Sequence, residues 1–489
     1  MENNQIVIVP TSLPIDDLTK AVKTLNAKSP QYTKYFGYYE GDQPLSYVTT
    51  RVREIFKGLD VVFAENWCSV VIDSVKDRIN MREVPLVKPD PTLQEQINDM
   101  LERNQLFLES DAVHEAALVC GEAFYIVWKD TDGKSEGFYN DPRLCHVFYS
   151  NENPRLKTFA AKWWVDDNRK IRVTLYYADH LEYYIAKSPI PQGGGMFDIG
   201  GELGSRLFDK FVPDGTTVYN PSHDLGQVPV FHFKTSQRKV ISDLKSVTPL
   251  QDATNKLLTD MMVCAEYGAF KQRYIISASE IEGTMKNAPN EIWMLPEDTT
   301  VGEFSSMDLN NYLMAIDKLA KAISIITHTP KHFVLEQGQE VSGEALIAME
   351  APLNKKAQDR IDRFEAVWED VIVLMASIDN ISIKKKDFEV QFDMPETIQP
   401  RTQAEIRQIK VTGAGMSLRT ALREEGRSPA YIEQALKDKE TDDKAKNKTL
   451  ANAMIDAKKN FNNGNQANDL NNNAQGNNNN PPQGNNTNA

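Results

Sequence analysis

The chain has 489 residues, of which 41% are hydrophobic and 25% charged, as in an ordinary globular protein with two or more domains. No apolar run approaches the ~20 residues needed to span a bilayer, and the start lacks the basic and apolar regions of a signal peptide, so we expect no membrane partner and no secretion. The net charge of −14 counts against a static DNA-binding protein, because proteins that grip DNA are usually basic.

The first part of the chain is predicted to be mainly helical. Helical periodicity is present near residues 15–25, 48–56, 64–79 and 93–104, and the prolines of residues 85–91 interrupt it. A further helix near residues 112–119 leads directly into a strand. This order predicts a domain in which helices precede a sheet.

The following segment is predicted to form a sheet from short β-rich runs joined by polar turns. These runs lie at residues 123–129, 145–149, 161–165, 171–177, 181–185 and 228–233. Asp130, Asp132 and Gly133 resemble part of a calcium loop, but the remaining ligands are missing, which favours a hairpin turn.

Aromatic residues concentrate in this predicted sheet. They are Trp163, Trp164, Tyr176, Tyr177, Tyr183 and Tyr184. Such residues can form a stacking platform for single-stranded nucleic acid, but a sheet core with an interface face is favoured. The Gly-rich stretch at 188–221 lacks the pattern of a phosphate-binding loop and is predicted to be a mobile surface loop.

The cysteines are predicted to be reduced side chains, mostly in the core, since no paired spacing indicates zinc. They are Cys68, Cys120, Cys145 and Cys264. Cys145 precedes His146, but neighbours in a strand point to opposite faces, which disfavours a shared metal or catalytic site.

No enzymatic motif is complete. His114 and Glu115 begin like a zinc-protease motif, but residue 118 is leucine where the second histidine is needed. Phosphate-loop and nucleophile-elbow patterns are missing as well. We therefore expect no catalytic residue, no metal and no cofactor.

Two apolar-striped helices are predicted at residues 248–270 and 308–327, and they flank a short insert. Thr248, Pro249 and Gln251 supply a capping hydroxyl, a first-turn proline and a reciprocal capping side chain. We expect these helices to pack on each other and on further copies of themselves. The packing residues are Leu250, Leu257, Met261, Ala265, Leu313, Ile316 and Ile323.

The insert between these helices, residues 273–306, is too small to hold a core alone. It is predicted to contain a strand at 274–276, a short helix opened by a capping box of Ser279 and Glu282, and a strand at 291–295. It should therefore need neighbouring subunits.

After the second helix, a loop leads into a long helix. Residues 342–378 are predicted to be helical and to be kinked at Pro352, whose ring removes a backbone hydrogen bond. Strands are predicted at 381–383 and 388–392, and charged helices at 399–460 with stops at 413–415 and a new cap at 428–429. The Asn-rich residues 461–489 cannot bury a core and are predicted to be disordered.

The chain resembles the portal proteins of tailed bacteriophages, especially those of long-tailed phages of Gram-positive bacteria. The similarity is carried by short segments in the family's order along most of the chain. These are Asp243-Leu244-Lys245, Leu250 to Lys256, Asp260, Glu266 to Ala269, Gln272-Arg273, Tyr38 to Gly41, Asn66-Trp67, Val70 to Asp73, Gly121 to Tyr125, Ser342 to Leu346 and Gly415 to Thr420.

The resemblance implies an α+β portal fold assembled as a ring, a dodecamer in the virion. Its parts would be a mixed α/β wing, a helical stem, a small α/β clip and a helical crown. In this sequence they correspond to the wing (1–240), the first stem helix (241–272), the clip (273–306), the second stem helix (307–327), the tunnel loop (328–341), the long kinked helix with wing return strands (342–398) and the crown (399–460).

The resemblance also implies candidate contact residues. In the tunnel loop, which projects into the channel, they are His328, Lys331, His332, Glu336, Gln337 and Gln339. Of these, Lys331 and His332 are implied to contact the phosphates of passing DNA. On the clip surface that faces partners they are Glu280, Glu282, Lys286 and Trp293. Without the resemblance, the loop is better interpreted as an ordinary helix connection.

By the same resemblance, the ring is a channel at one capsid vertex through which double-stranded DNA is packaged and ejected. It would nucleate procapsid assembly in the host cytoplasm, bind the terminase large subunit, head completion or adaptor proteins, and major capsid and scaffolding proteins, and remain in the virion. The alternatives are a capsid shell or scaffolding protein and, with less support, a terminase-type motor. This chain lacks the phosphate loop that such a motor would need.

Overall fold

The structure is a computed structural model that describes residues 15–43, 65–190, 211–215, 220–269, 273–277, 299–303, 308–333, 343–395, 400–425 and 432–449, together with residues 297, 427 and 454. The predicted helix at 48–56 and the Asn-rich end lie outside these ranges. The chain divides into two compact units, Met1–Thr397 and Ile398–Ala489.

The first unit begins with helices. Their bounds are α1 (Ile15–Glu40), α2 (Trp67–Lys76), α3 (Pro91–Arg103) and α4 (Leu106–Cys120). Asp90 caps α3 by accepting a hydrogen bond from the amide of Leu93 at 3.1 Å, and a proline occupies the first turn. The first helix continues past Pro30 to Glu40, so the predicted end near residue 25 is wrong.

A three-stranded antiparallel sheet follows, in the order β3-β2-β9. Its strands are β2 (Glu122–Lys129), β3 (Ser135–Asn140) and β9 (Val230–Lys234). The hairpin turn predicted between β2 and β3 is confirmed, because Oδ1 of Asp130 accepts hydrogen bonds from the amides of Asp132 and Lys134. Strand β3 was not predicted.

A separate five-stranded antiparallel sheet has the order β4-β5-β6-β7-β8, so the prediction of one continuous sheet is wrong. Its strands are β4 (Cys145–Tyr149), β5 (Lys157–Val165), β6 (Ile171–Tyr176), β7 (Leu181–Ala186) and β8 (Phe211–Pro213). Strand β8 pairs with β7 inside the stretch predicted to be a mobile loop. That prediction is therefore wrong for these three residues.

The five-stranded sheet is covered on both faces. The apolar stripe of α1 packs on one face, where Trp163 and Tyr184 are buried. The other face packs against Phe124 and Ile126 of the three-stranded sheet. Trp163 and Tyr184 thus contribute to the sheet core, as expected, and Tyr176 and Tyr177 pack against it.

The largest core lies on the opposite face of the three-stranded sheet. There α2 and α4 pack with a long helix, α7 (Gly343–Ile378), which contributes Phe364 and Trp368. His114 is buried in this core, stacked on Phe364, and accepts a hydrogen bond from Nε1 of Trp368 at 2.9 Å.

The chain after α7 returns to the first unit. Strand β12 (Gln391–Phe392) pairs with β1 (Met81–Glu83), and Phe388 forms an isolated bridge with Leu86. Residues 381–383 are not a strand, because Ile381 instead donates its amide to the carbonyl of Ala376 at the end of α7.

Further elements of the first unit lie between β9 and α7. They are α5 (Thr248–Ala269), β10 (Arg273–Ile276), β11 (Thr300–Glu303), α6 (Asn310–Thr327) and a short 3₁₀ turn (Lys331–Phe333). Both long helices were predicted, each within about two residues at its ends.

The second unit is helical in its described part, as predicted. It contains α8 (Pro400–Gln408), a π-helical turn (Ile409–Gly413), α9 (Leu418–Glu424) and helical residues 432–449. Ion pairs from Arg407 to Glu425 and from Lys410 to Glu424 link α8 and the π-helical turn to the end of α9. The stop near Gly415, which has φ +69°, is confirmed.

Within the ranges that the structure describes, no helix combines the length and the apolar character needed to cross a membrane. The four cysteines are free thiols, and three of them are buried.

Candidate functional site

The candidate site is the pair of long helices α5 and α6 with the elements attached to their two ends. Polar side chains fix the start of α5 in the first unit. Gln251 is fully buried, accepts a hydrogen bond from the amide of Trp67 at 3.0 Å and donates to the carbonyl of Glu65. It therefore does not act as the predicted capping side chain. Tyr38 adds a bond to Oδ1 of Asp252 at 2.5 Å.

Helices α5 and α6 pack against each other. Near the far end of the pair, Sγ of Cys264 lies 3.3 Å from the hydroxyl of Tyr312, and this hydrogen bond, followed by burial, raises the pKa of Tyr312 to about 12. This contact joins the last turns of α5 to the first turns of α6.

The predicted packing residues divide into three groups by exposure. Ile316 and Ile323 are buried in the single chain, and Leu313 is 48% exposed. The half-buried residues are Leu250, Leu257, Met261 and Ala265.

Helix α6 exposes large apolar side chains near both of its ends. Leu313 and Met314 lie in its first turns, and Ile325 and Ile326 lie in its last. Isolated exposed apolar residues are common, but several on one helix indicate a surface that another molecule covers.

Strands β10 and β11 form a two-stranded antiparallel pair between the helices, with Tyr274 opposite Gly302. A Cβ atom on Gly302 would lie 2.2 Å from the Tyr274 ring, so glycine lets the tyrosine cross the neighbouring strand. Tyr274, Ile276 and Val301 are exposed. A pair of this size is marginal by itself.

The first strand of this insert was predicted correctly, whereas β11 was not predicted. The predicted short helix, the strand at 291–295 and the partner-facing residues lie outside the described residues. Those residues are Glu280, Glu282, Lys286 and Trp293.

The connection after α6 begins with a well-fixed turn. His328 ends the helix in the left-handed region with φ +63° and is exposed. Ser324 donates its hydroxyl to the carbonyl of Thr329, and the Thr327 hydroxyl bonds to that of Thr329 at 2.9 Å. Lys331 is exposed, whereas Glu336, Gln337 and Gln339 lie outside the described residues.

His332 is only partly exposed and lies against charged side chains. Its Nε2 atom is 3.5 Å from Oε1 of Glu350 on α7. The other carboxylate oxygen of Glu350 accepts a hydrogen bond from Nη2 of Arg78 at 3.1 Å, and Nε of Arg78 donates to Asn354 at 3.0 Å. These two predicted phosphate contacts, Lys331 and His332, therefore have different surroundings.

A second ion-pair cluster fixes α7 to the segment before α5. Asp243 lies 3.0 Å from both Lys356 and Arg360, and Arg360 also donates to the carbonyl of Thr235 at 2.8 Å. Lys356 reaches the carbonyl of Thr327 at 3.3 Å. The segment before α5 and the last residue of α6 are thus both tied to α7.

Helix α7 continues through Pro352 without interruption. The proline ring leaves one backbone carbonyl without its usual helical donor. The kink at this residue stays a prediction.

The sequence did not indicate Arg78, Glu350 or Lys356 as parts of this site, and it indicated Asp243 only through the family resemblance. Their partners are distant in sequence, so no local pattern reveals them. Among the residues that the structure describes, no cluster of histidine, cysteine and carboxylate side chains could hold a metal ion.

Comparison with known proteins gives one family match over most of the chain. The family model described as "Phage portal protein, SPP1 Gp6-like" matches residues 21–472. Two curated relatives are named portal protein. That of Mycobacterium phage D29 is 26% identical over 199 residues, which are 35% of this chain and 39% of the relative. That of Mycobacterium phage L5 is 28% identical over 172 residues, which are 32% of this chain and 35% of the relative.

The chain thus spans less than two fifths of the length of these curated relatives. Solved structures with a similar arrangement include the neck of an empty gene transfer agent particle computed with C6 symmetry, at TM-score 0.46, 9% identity and coverage of 78% of this chain and 95% of the other. The virion of a native gene transfer agent particle matches at TM-score 0.44 and 10% identity, covering 78% and 95%.

Proposed function

Because the chain belongs to the SPP1 Gp6-like family of phage portal proteins, we propose that it forms the ring-shaped channel at one vertex of a phage capsid. The observation that carries this proposal is the exposed apolar surface of the helix pair. Leu313, Met314, Ile325 and Ile326 of α6 remain exposed in the single chain. In a ring, α5 and α6 of adjacent copies would cover these side chains and form the channel wall.

The β10–β11 pair supports the same arrangement. Two strands with exposed apolar side chains on both faces gain stability when neighbouring copies cover them. We assign this pair to the clip, the two helices to the stem, and the second unit to the crown. The family resemblance orders these parts along the chain in the same way.

The charge of the chain fits a conduit for double-stranded DNA. With a net charge of −14, a channel wall would not hold phosphates tightly, and DNA could slide through it. Lys331 faces solvent at the start of the tunnel loop, so we assign it a phosphate contact. The chain would act mechanically and electrostatically, without a catalytic step of its own.

The partners follow from this role. The clip would bind the terminase large subunit during packaging and a head completion or adaptor protein afterwards. The wing and crown would contact major capsid and scaffolding proteins during procapsid assembly, and the finished ring would stay in the virion.

Negative-stain electron microscopy of the purified full chain, together with its mass in solution, tests this function. We expect rings with an axial hole and a mass of about twelve subunits, as the family resemblance implies. A shell or an elongated oligomer would favour a capsid or scaffolding protein. A compact dimer at all concentrations would contradict the channel.

A further inference from the structure

The turn Lys331–Phe333 is contacted by a side chain from outside the helix pair. Arg78 lies just beyond α2, and its guanidinium bonds to Glu350 and Asn354 on α7 and to the carbonyl of Ser74 at 2.9 Å. With partners in three directions, the guanidinium has one orientation. Arg78 therefore joins the end of α2 to the first half of α7.

His332 and Phe333, the two residues that follow Lys331, both lie against Arg78 and its partners. Glu350 uses one carboxylate oxygen for Arg78 and the other for His332. The guanidinium of Arg78 also lies 5.8 Å from the centre of the Phe333 ring, and this ring meets His332 edge to face at 4.7 Å. Arg78 thus contacts the turn in two ways, through Glu350 to His332 and directly at the Phe333 ring.

The turn cannot hold this position by its own backbone. A single 3₁₀ turn has one hydrogen bond, from the amide of Phe333 to the carbonyl of Pro330 at 3.0 Å. The side chains of Arg78 and Glu350 are 14% and 11% exposed, so water screens their ion pair only weakly.

We propose that Arg78 is a positioning residue for the turn Lys331–Phe333, acting through Glu350 on His332. In this assignment His332 anchors the loop, while Lys331 is left facing the solvent where DNA would pass. The proposal deepens the channel function and rests on it for the role of Lys331. The proposal therefore excludes His332 as a phosphate contact and leaves Lys331 as the candidate.

Hydrogen exchange on the full chain tests the anchor independently of any channel. In R78A, we expect peptides covering residues 328–333 to exchange at least threefold faster, with no change in α4 or β2. R78K keeps a charge for Glu350 but not the three-way geometry, so it should restore part of the protection. E350Q should reproduce the effect of R78A, and the double variant should add nothing.

The matched control is R82A. Arg82 pairs with Asp393 at 3.3 Å in the same unit and is not bonded to the turn, so its loss should leave residues 328–333 unchanged. Unchanged exchange in R78A, equal acceleration across the whole first unit, or additive effects of R78A and E350Q would each overturn the assignment.

The functional readout is the salt dependence of DNA binding by the assembled full chain, measured with a blunt duplex of random sequence. K331A should reduce the slope of log affinity against log salt by about 1 for each subunit whose Lys331 contacts a phosphate. R78A should reduce it similarly, and R78A/K331A no further. If the unmodified chain bound no DNA, the phosphate contact of Lys331 would fail, while the exchange data would still decide the anchor and electron microscopy the channel function.

Discussion

Glu122 on β2 accepts a hydrogen bond from Nε2 of His232 on β9 at 2.8 Å, and Glu122 has no exposure to solvent. The same carboxylate accepts hydrogen bonds from Lys28 at 2.7 Å and Tyr32 at 2.6 Å, both on α1. His146 on β4 completes the group by bonding to Lys28 at 3.0 Å. One buried carboxylate therefore links α1 to both sheets.

Replacing this carboxylate should destabilise the first unit strongly. In E122A, His232, Tyr32 and Lys28 lose a shared acceptor in a buried space, and we expect a loss of about 3 kcal/mol in the free energy of unfolding. Urea denaturation followed by tryptophan fluorescence would measure it. E136A removes an exposed carboxylate from β3 and should change the free energy by less than about 0.5 kcal/mol. Equal effects of the two substitutions would contradict this role.

Buried histidines should make the protein sensitive to acid. Burial lowers the pKa of His114 and of His146 to about 3 and that of His232 to about 4, from an ordinary value of 6.5. The unfolded chain binds these protons below pH 6.5, whereas the folded chain does not. Stability is therefore complete above pH 6.5 and falls as the pH decreases towards 4.

His114 provides the cleanest test, because it is not bonded to the Glu122 group. Its shift corresponds to about 2 kcal/mol of stability lost between pH 7 and pH 5. H114Q should lower the free energy of unfolding at both pH values. It should also reduce the difference in that free energy between pH 7 and pH 5 by about this amount. V173A removes methyl groups from the core between α1 and the five-stranded sheet, which does not include His114, so its pH difference should equal that of the unmodified chain. Urea unfolding at both pH values gives the comparison.

The sequence predicted the elements with strong local patterns and missed those that depend on distant partners. Helix α5 has an apolar stripe and strand β2 is a continuous apolar run, and both lie close to their predicted bounds. Strand β3 has no alternation, and Gly137 within it provides space for the Tyr125 ring and donates its amide to Asn104. Helix α1 passes Pro30 because the side chains that follow it, Tyr32, Tyr35 and Phe36, are buried in the largest core.

The candidate site was predictable to a similar extent. The two long helices could be predicted from their apolar stripes, and the family resemblance identified the loop between α6 and α7. The partners of His332 could not be predicted, because Arg78 and Glu350 lie far apart in the chain and meet only after folding. For the same reason Gln251, which fits a capping pattern, bonds to the start of α2 instead.

Gly121 should be intolerant of any side chain. It ends α4 with φ +89°, and an added Cβ would lie 2.6 to 2.8 Å from backbone atoms of Ile241. Because the backbone of Ile241 cannot move aside as a flexible side chain could, we expect G121A to cost more than about 3 kcal/mol. Gly133 has a similar φ of +77° but nothing within 4 Å, so G133A should cost only about 1–2 kcal/mol. Thermal and urea unfolding of both variants measure the difference. Equal losses would mean that the close contact with Ile241 does not matter.

Leu313 should be required for assembly but not for folding of the single chain. It is 48% exposed on α6, beside the exposed Met314, so an aspartate there remains solvated in the monomer. In a ring the same charge would be buried against a neighbouring helix, at a cost of several kcal/mol per interface. L313D should therefore keep the melting temperature of the monomer while lowering the mass in solution to that of one chain. L156D is the matched control, since Leu156 is exposed on a turn before β5 and far from the helix pair in sequence, and it should assemble normally. Rings formed by L313D would show that this face of α6 is not an interface between copies.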